Sequence, residues 1–367
     1  MIKIAYTIPN FETAGSGMAL MKLVLGLDKT RFEPHIVCLH SKGVYFEKMV
    51  KSSGIPVHIY PYLSTLRPIV RLIRNCWRVS RFFKKQGFDI VFSYHYGSDY
   101  SEAISAKLAR AKFVYVKKNM SWYGPSHHGW QIKTLLADAI VAQNKDMLDT
   151  FFCHCKKAAF ISIGVDTSEY FHRERDVSLL NELGLNESDR IILAVANLVP
   201  KKGIDYLLKA FVNIDEGIKL VVVGDTISEY GQKMVQLSHV LGLDAKVIFT
   251  GKRYDVPRFY SIAHLFILPS TSNEGAPITV QEAMASGVVV ITTDTPGNRD
   301  QLSSLPNQLI SPCDESAISR AITKMLSMSP EQINSILNLQ MSIVNESYSL
   351  SNEIKAHEKL YLQIMTQ

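Results

Sequence analysis

Two glutamates, Glu274 and Glu282, bracket the segment Glu274-Gly275-Ala276-Pro277-Ile278-Thr279-Val280-Gln281-Glu282. An apolar run, Leu265-Phe266-Ile267-Leu268, and a loop of small polar residues, Pro269-Ser270-Thr271-Ser272-Asn273, lead into it. The segment then reads as a helix: Pro277 suits the first helical position and Gly287 the residue just past the last turn. Proline has no N–H, so the amides of Ile278, Thr279 and Val280 are the free donors of the first turn. With the positive end of the helix dipole they make an anion site. At about 1.5 Å rise per residue, roughly 12 Å separates the two acids along the axis. That span fits a hexose-diphosphate-ribose ligand, with an acid for the hydroxyls at each end and amides for the phosphates between. Such a pair also arises by chance, and Glu282 alone reads equally well as a surface residue. The strand-loop-helix order tips the balance, because open α/β sheets bind ligands outside the carboxyl ends of their strands.

Other residues carry weaker signals. Lys201 and Lys202, in Asn197-Leu198-Val199-Pro200-Lys201-Lys202-Gly203, follow an apolar strand and precede the helix Ile204–Phe211. They suit neutralisation of a diphosphate, or a solvated turn. Thr13-Ala14-Gly15-Ser16-Gly17 follows the first strand and opens a helix. Its glycines permit close backbone approach to a ligand, or serve only a tight turn. The third glycine of a dinucleotide fingerprint is missing, since Leu20 stands there, and this disfavours a nicotinamide-dependent oxidoreductase. Cys153-His154-Cys155 has no second ligand cluster to complete a metal site.

Elements must position these groups. A chain of 367 residues is too long for one ordinary core, and two domains of about 150–200 residues are expected. With 47% hydrophobic and 20% charged residues it reads as globular. Five scattered cysteines imply a reducing compartment without a disulfide framework. The N-terminal Met1–Tyr6 lacks the apolar core of a secretion signal, and no run is long enough to span a bilayer. A cytoplasmic or peripheral protein is expected. Strands are expected at Ile2–Thr7, Pro34–Leu39, Pro56–Tyr60, Ile90–Tyr94, Phe113–Lys117, Ala139–Ala142 and Phe160–Ile163. Helical patterns at Gly17–Gly26, Tyr45–Ser53, Pro68–Gln86, Tyr100–Ala109 and Lys145–Phe152 fall between them. After a polar connection, Asp166–Arg190, a second set begins at Ile191–Ala196, with strands near Leu220–Val223, Val247–Thr250, Leu265–Leu268 and Val288–Ile291. Such alternation gives α/β domains with parallel sheets. Ser349–Met365 reads as a further amphipathic helix.

Glu274 through Glu282 resembles the E-x7-E motif of retaining glycosyltransferases of the GT-B fold, and the chain as a whole resembles glycosyltransferase family 4. The likeness includes Gly15-Ser16-Gly17, Gly164-Val165-Asp166, Leu198-Val199-Pro200-Lys201-Lys202-Gly203, Gly224-Asp225 and Glu282-Ala283-Met284-Ala285-Ser286-Gly287. It implies two doubly wound Rossmann-like domains facing across a cleft. Residues 1–165 would bind the acceptor, 166–348 the nucleotide-sugar donor, and the helix 349–367 would return to the first domain. By the same resemblance Glu274 would bind hydroxyls of the transferred sugar and Glu282 the ribose. Lys202, Gly15, Gly17, Gly275, Ala276, Pro277 and the amides of Ile278 and Thr279 would surround the diphosphate, with Lys252 and Arg253 near the base. Neither metal nor cofactor is implied.

Two departures stand out. Asn197 occupies the place of an arginine that many members pair with the lysine, and Lys201, Arg253 and Arg299 are the candidates to supply its charge. The family often has a histidine after the strand matching Phe113–Lys117. Here the run is Lys117-Lys118-Asn119-Met120-Ser121-Trp122, so Asn119, His127, His128 and His95 are candidates for the acceptor side. The implied function is hexose transfer from a nucleoside diphosphate sugar to a hydroxyl with retention. An epimerase of the same fold and a non-catalytic binding module are the rivals. For the acceptor, residues 67–85 carry seven cations and no acid, interleaved with apolar residues. That pattern suits an anionic lipid surface and hence a lipid-linked glycan, or a crossover helix packed on its sheet. Nucleic acid is not expected, because most of the net charge of +6 lies in this one helix and no nucleic-acid motif accompanies it.

Overall fold

The structure, a computed structural model, describes residues 1–11, 14–40, 50–120 and 127–366. Thr13, Ser121, Trp122 and most of the expected helix Tyr45–Ser53 lie outside them. The chain divides into two compact units, one of Met1–Ile163 with Leu350–Gln367 and one of Gly164–Ser349. The second unit's first and last segments lie side by side, where the Val165 amide donates to the Tyr348 carbonyl at 2.8 Å.

In the first unit, strands β1 (Ile2–Ile8), β2 (Phe32–Cys38), β3 (Val57–Ile59), β4 (Ile90–Ser93), β5 (Lys112–Lys117), β6 (Ala139–Ala142) and β7 (Ala158–Phe160) form one sheet. Their order is β3-β2-β1-β4-β5-β6-β7, and every pairing is parallel. In the second, β8 (Arg190–Val195), β9 (Ile218–Val223), β10 (Val247–Gly251), β11 (Leu265–Leu268), β12 (Val289–Thr293) and β13 (Leu309–Ile310) run β10-β9-β8-β11-β12-β13, again all parallel. Parallel strands need crossovers, and helices cover the sheets. The central strands are accordingly rich in buried apolar residues, as in the four buried residues of β11. In both sheets the order reverses at one place, between β1 and β4 and between β8 and β11. Loops at such switch points diverge and leave room for a ligand.

Several elements were not anticipated. The helices His127–Leu136, Glu229–Val240, Val256–Ile262, Glu315–Leu326 and Pro330–Ile343 complete the layers, and β13 adds a two-residue edge. Pro330–Ile343 did carry a local signal: Ser329 and Gln332 form a reciprocal capping box. The connection Asp166–Arg190 is not purely linker. It contains the helix Val177–Glu182, whose first turn is closed by Leu179 N donating to Asp176 Oδ1 at 2.9 Å. The last strand of the first sheet is Ala158–Phe160, earlier than Phe160–Ile163. Among the described residues no helix is long and apolar enough to cross a membrane.

The helix Leu350–Met365 joins the first unit through Leu360, Tyr361 and Ile364, which are buried with Tyr6, Phe32 and Phe92. At its centre Tyr6 donates to the Tyr361 hydroxyl at 2.9 Å, which lies 3.2 Å from His357 Nδ1. Burial pushes the His357 pKa down to about 3. A native pKa below the unfolded value means that the group's stability contribution is present above about pH 6.5 and is lost as pH falls. Between about pH 7.5 and pH 5 this one residue should cost about 2 kcal/mol of unfolding free energy. Urea unfolding at both pH values checks it: His357→Leu should show a shallower loss than wild type, and an unchanged slope would exclude the assignment.

Candidate functional site

The β8–β11 switch point brings the expected groups together. Lys202 ends a short 3-10 turn, Pro200–Lys202, after β8, and Glu274 lies in the loop after β11. The Glu274 side chain is buried, 4% exposed. Its Oε1 accepts from Ser270 Oγ at 2.9 Å and lies 2.8 Å from Lys202 Nζ, and Lys201 Nζ is 3.4 Å from Oε2. A buried carboxylate is tolerated only when paired and hydrogen-bonded, and here a hydroxyl and two ammonium groups do so. Burial lowers the Lys202 pKa, with Glu274 opposing the shift.

Backbone geometry holds this arrangement. The Thr271 amide donates to the Lys201 carbonyl at 2.9 Å, Thr293 Oγ1 to the Ser270 carbonyl at 2.6 Å, and the Glu274 amide to the Pro296 carbonyl at 3.1 Å. Two glycines permit the close approach. Gly203 has φ +66, and a Cβ there would lie 2.0 Å from the Pro269 oxygen. Gly297 has φ +87, and its Cβ would fall 2.6 Å from the Gly275 oxygen and 3.0 Å from that of Glu274.

The helix after Glu274 runs Ile278–Ala285, so Pro277 is its N-cap and not its first residue. The Val280 amide donates to the Pro277 carbonyl at 3.3 Å. This corrects the expected donor set: among the described residues the amides of Ile278 and Thr279 are the ones left without an acceptor. Gly275, Ala276, Ile278 and Thr279 are half-buried beside them, and Pro277 is buried. Gly287 closes the helix at φ +75, as expected from its place. Glu282 is not a surface residue. It is 8% exposed, and Tyr260 donates to its Oε2 at 3.0 Å. Burial and the Glu282 charge hold the Tyr260 phenol well above its ordinary pKa, and Tyr170 is held up in the same way.

The other donor-side residues are more dispersed. Asn197 is exposed at the end of β8, and Lys252 is exposed with its ammonium 5.4 Å from the Tyr254 ring centre. Arg253 is already engaged: its guanidinium bonds both Asp255 oxygens at 2.8 and 2.7 Å and Glu182 at 2.5 Å. Arg299 pairs with Asp294 at 2.5 Å. Of the three candidates to replace the charge missing at Asn197, Lys201 adjoins Glu274.

In the first unit the helix after β1 is Ala14–Gly26, which places Gly15 and Gly17 in a helical first turn and not in a loop. Between them, Ser16 Oγ accepts from Lys118 Nζ at 2.9 Å, and Lys118 also donates to the Tyr94 carbonyl at 2.6 Å. Lys118 is 8% exposed, and burial holds its pKa well below the usual ammonium range. Asn119 is taken up locally, its carbonyl and Oδ1 accepting from Lys117 Nζ at 2.6 and 2.7 Å. Burial lowers the Lys117 pKa to about 7. His95 Nδ1 accepts from the Gly97 amide at 3.2 Å, and burial followed by the Lys133 and Lys118 charges lowers its pKa to about 4. His95 is therefore neutral at pH 7. His127 Nε2 lies 3.0 Å from Gln131 Nε2 on the helix His127–Leu136, and His128 is exposed.

Sequence reasoning passed over Ser270, Tyr260, Lys133 and Glu102. Lys133 is buried and donates to the Gly97 carbonyl at 3.1 Å. Glu102 is buried beneath Thr7 and Ser93, and burial raises its pKa. Nothing in a single sequence separates such residues from solvated helix charges. Ser270, four residues before Glu274, was the one with a local cue.

The chain resembles known proteins in sequence and in fold. Residues 13–169 match the family model described as Glycosyltransferase Family 4, and residues 178–339 the one described as Glycosyl transferases group 1. A lipopolysaccharide 1,2-N-acetylglucosaminetransferase of Salmonella typhimurium is 31% identical over 173 residues, 44% of this chain and 45% of that protein. TuaC of Bacillus subtilis, a putative teichuronic acid biosynthesis glycosyltransferase, is 31% identical over 170 residues, 46% of this chain and 41% of that protein. The chain spans less than half the length of these curated relatives. A glycosyltransferase structure from Rickettsia africae matches with a TM-score of 0.87 and 18% identity, covering 99% of this chain and 98% of the other. That likeness shows the fold, the two Rossmann-like domains of the GT-B class.

Gly297→Ala tests the backbone arrangement. The positive φ and the two carbonyls should cost about 1–3 kcal/mol and shift the Glu274 loop. Gly217→Ala, where a Cβ meets nothing within 4 Å, is the control. Thermal unfolding of both variants should separate them, and equal melting temperatures would contradict the close packing.

Proposed function

The chain belongs to the glycosyltransferase families that these two models describe, and on that premise we propose that it transfers a hexose from a nucleoside diphosphate sugar to a hydroxyl with retention at the anomeric carbon. The observation that carries this reading is the Lys202–Glu274 pair, 2.8 Å apart and held at the β8–β11 switch point. A sugar joined to a diphosphate presents hydroxyls on one side of a bond and negative charge on the other. An acceptor of hydroxyl protons beside an ammonium group matches that junction. The amides of Ile278 and Thr279 add donors for phosphate oxygens, and on this reading the buried Glu282, about one turn further along the helix, takes the ribose hydroxyls.

In the proposed reaction the bond between the anomeric carbon and the phosphate oxygen breaks, its electron pair leaving with the diphosphate. The acceptor oxygen bonds to the same face of that carbon, and its proton passes to the departing phosphate oxygen. Negative charge grows on the diphosphate, so Lys202 and the helix amides bind the transition state more strongly than the ground state. On this reading charge is neutralised by lysine and amides, with no metal required. The relatives named for lipopolysaccharide and teichuronic acid synthesis support a surface-glycan precursor as the acceptor class, and on this reading that precursor is lipid-linked.

A panel of uridine, guanosine and adenosine diphosphate sugars, read by thermal stabilisation, should identify one donor class. With that donor, Glu274→Ala and Lys202→Ala should each lower transfer on the order of 10²–10³-fold. Transfer undiminished in both variants would overturn the site, and free sugar isomer released without an acceptor would point to an epimerase.

A further inference from the structure

The helix Ile69–Gln86 has two apolar faces, and the fold uses only one. Leu72, Cys76, Val79 and Phe83 are buried, Val79 and Phe83 in a cluster with Val91 and Phe113 of the sheet. Ile69, Val70, Ile73 and Trp77 stand 66, 78, 64 and 56% exposed. Val70, Ile73 and Trp77 recur at i, i+3 and i+7, which places them in one line along the helix. They border a shallow recess completed by Arg74. Beyond that line, on the side away from the core, Arg71, Arg74, Arg78, Arg81 and Lys85 are all exposed. The helix has no acid to answer them, and among the described residues none of these cations is ion-paired. The Arg81 guanidinium lies over the Trp77 ring at 4.8 Å, joining the two stripes. Single exposed apolar residues are ordinary, but a continuous line of them marks an interaction surface.

We propose that this helix docks the first unit on an anionic lipid surface. Val70, Ile73 and Trp77 enter the boundary between headgroups and acyl chains, while the adjacent cations meet lipid phosphates. Charge selects this occupant. A second copy of the chain would set one cationic stripe against another, and a neutral groove would leave the stripe unanswered. The inference stands apart from the transfer reading, because its readout is adsorption and not turnover.

The probes are vesicles of phosphatidylcholine alone and of phosphatidylcholine mixed with phosphatidylglycerol, with co-sedimentation of the full chain as the measurement. Binding is expected to the mixed vesicles and to weaken with salt. Arg71→Gln with Arg74→Gln should lower partitioning on the order of 25-fold, and Val70→Ser with Ile73→Ser by about tenfold or more. All four side chains are exposed, so both variants should keep the wild-type melting temperature and donor stabilisation. No binding to mixed vesicles, equal binding to both kinds, or unchanged binding of the serine variant would overturn the proposal. A solution dimer that the serine variant abolishes would overturn it in favour of a second copy. Loss of docking with donor stabilisation intact would leave the transfer reading standing, and the reverse result would remove that reading alone.

Discussion

A carboxylate kept out of water is the constraint around which the second unit is organised. Glu274 is nearly inaccessible, and an unpaired charge there would cost several kcal/mol. Lys202 at 2.8 Å and Ser270 at 2.9 Å offset that cost. They can do so only because the backbone after β8 passes against the backbone after β11, which requires a residue without Cβ at Gly203. Gly297 meets the same need on the other side of the loop. A pair assembled against this desolvation penalty is preorganised, which is the property that electrostatic catalysis requires.

What was legible in the sequence was local. The helix start within one residue of Pro277, the glycine at its end and the two glutamates eight residues apart lie within one short stretch, so periodicity and capping preferences reach them. The partners were not legible, because they depend on strand order. Lys202 meets Glu274 only because β8 and β11 are neighbours, and Tyr260 meets Glu282 from a different helix. The arginines illustrate the converse. Arg253 and Arg299 were reasonable sources of positive charge for a phosphate, yet Asp255, Glu182 and Asp294 already occupy them. Asn119, offered as a stand-in for a histidine, is held by the side chain of Lys117.

The first unit spends its polar residues differently. Lys117, Lys118 and Lys133 are all buried, each donating to a backbone carbonyl near the carboxyl ends of β4 and β5. Burial depresses all three pKa values. Lys118 thereby ties the first turn of the helix Ala14–Gly26 to the end of β4 through Ser16 and Tyr94. The helix Ile69–Gln86 shows the same limit of sequence reading in another form. Its amphipathic pattern fitted core packing and surface docking alike, and only the separate exposure of Val70, Ile73 and Trp77 distinguishes the second face.

The central claim is that Glu274 touches the sugar and not merely its lysine. Calorimetric titration of Glu274→Gln with a nucleoside diphosphate, and with the same nucleotide carrying its sugar, tests it most directly. Wild type should bind the nucleotide sugar more tightly than the bare nucleotide. The variant should lose that increment, about tenfold or more for a charge-assisted hydrogen bond, while binding the bare nucleotide as wild type does. An unchanged increment in the variant would contradict the account and leave the pair a purely structural device.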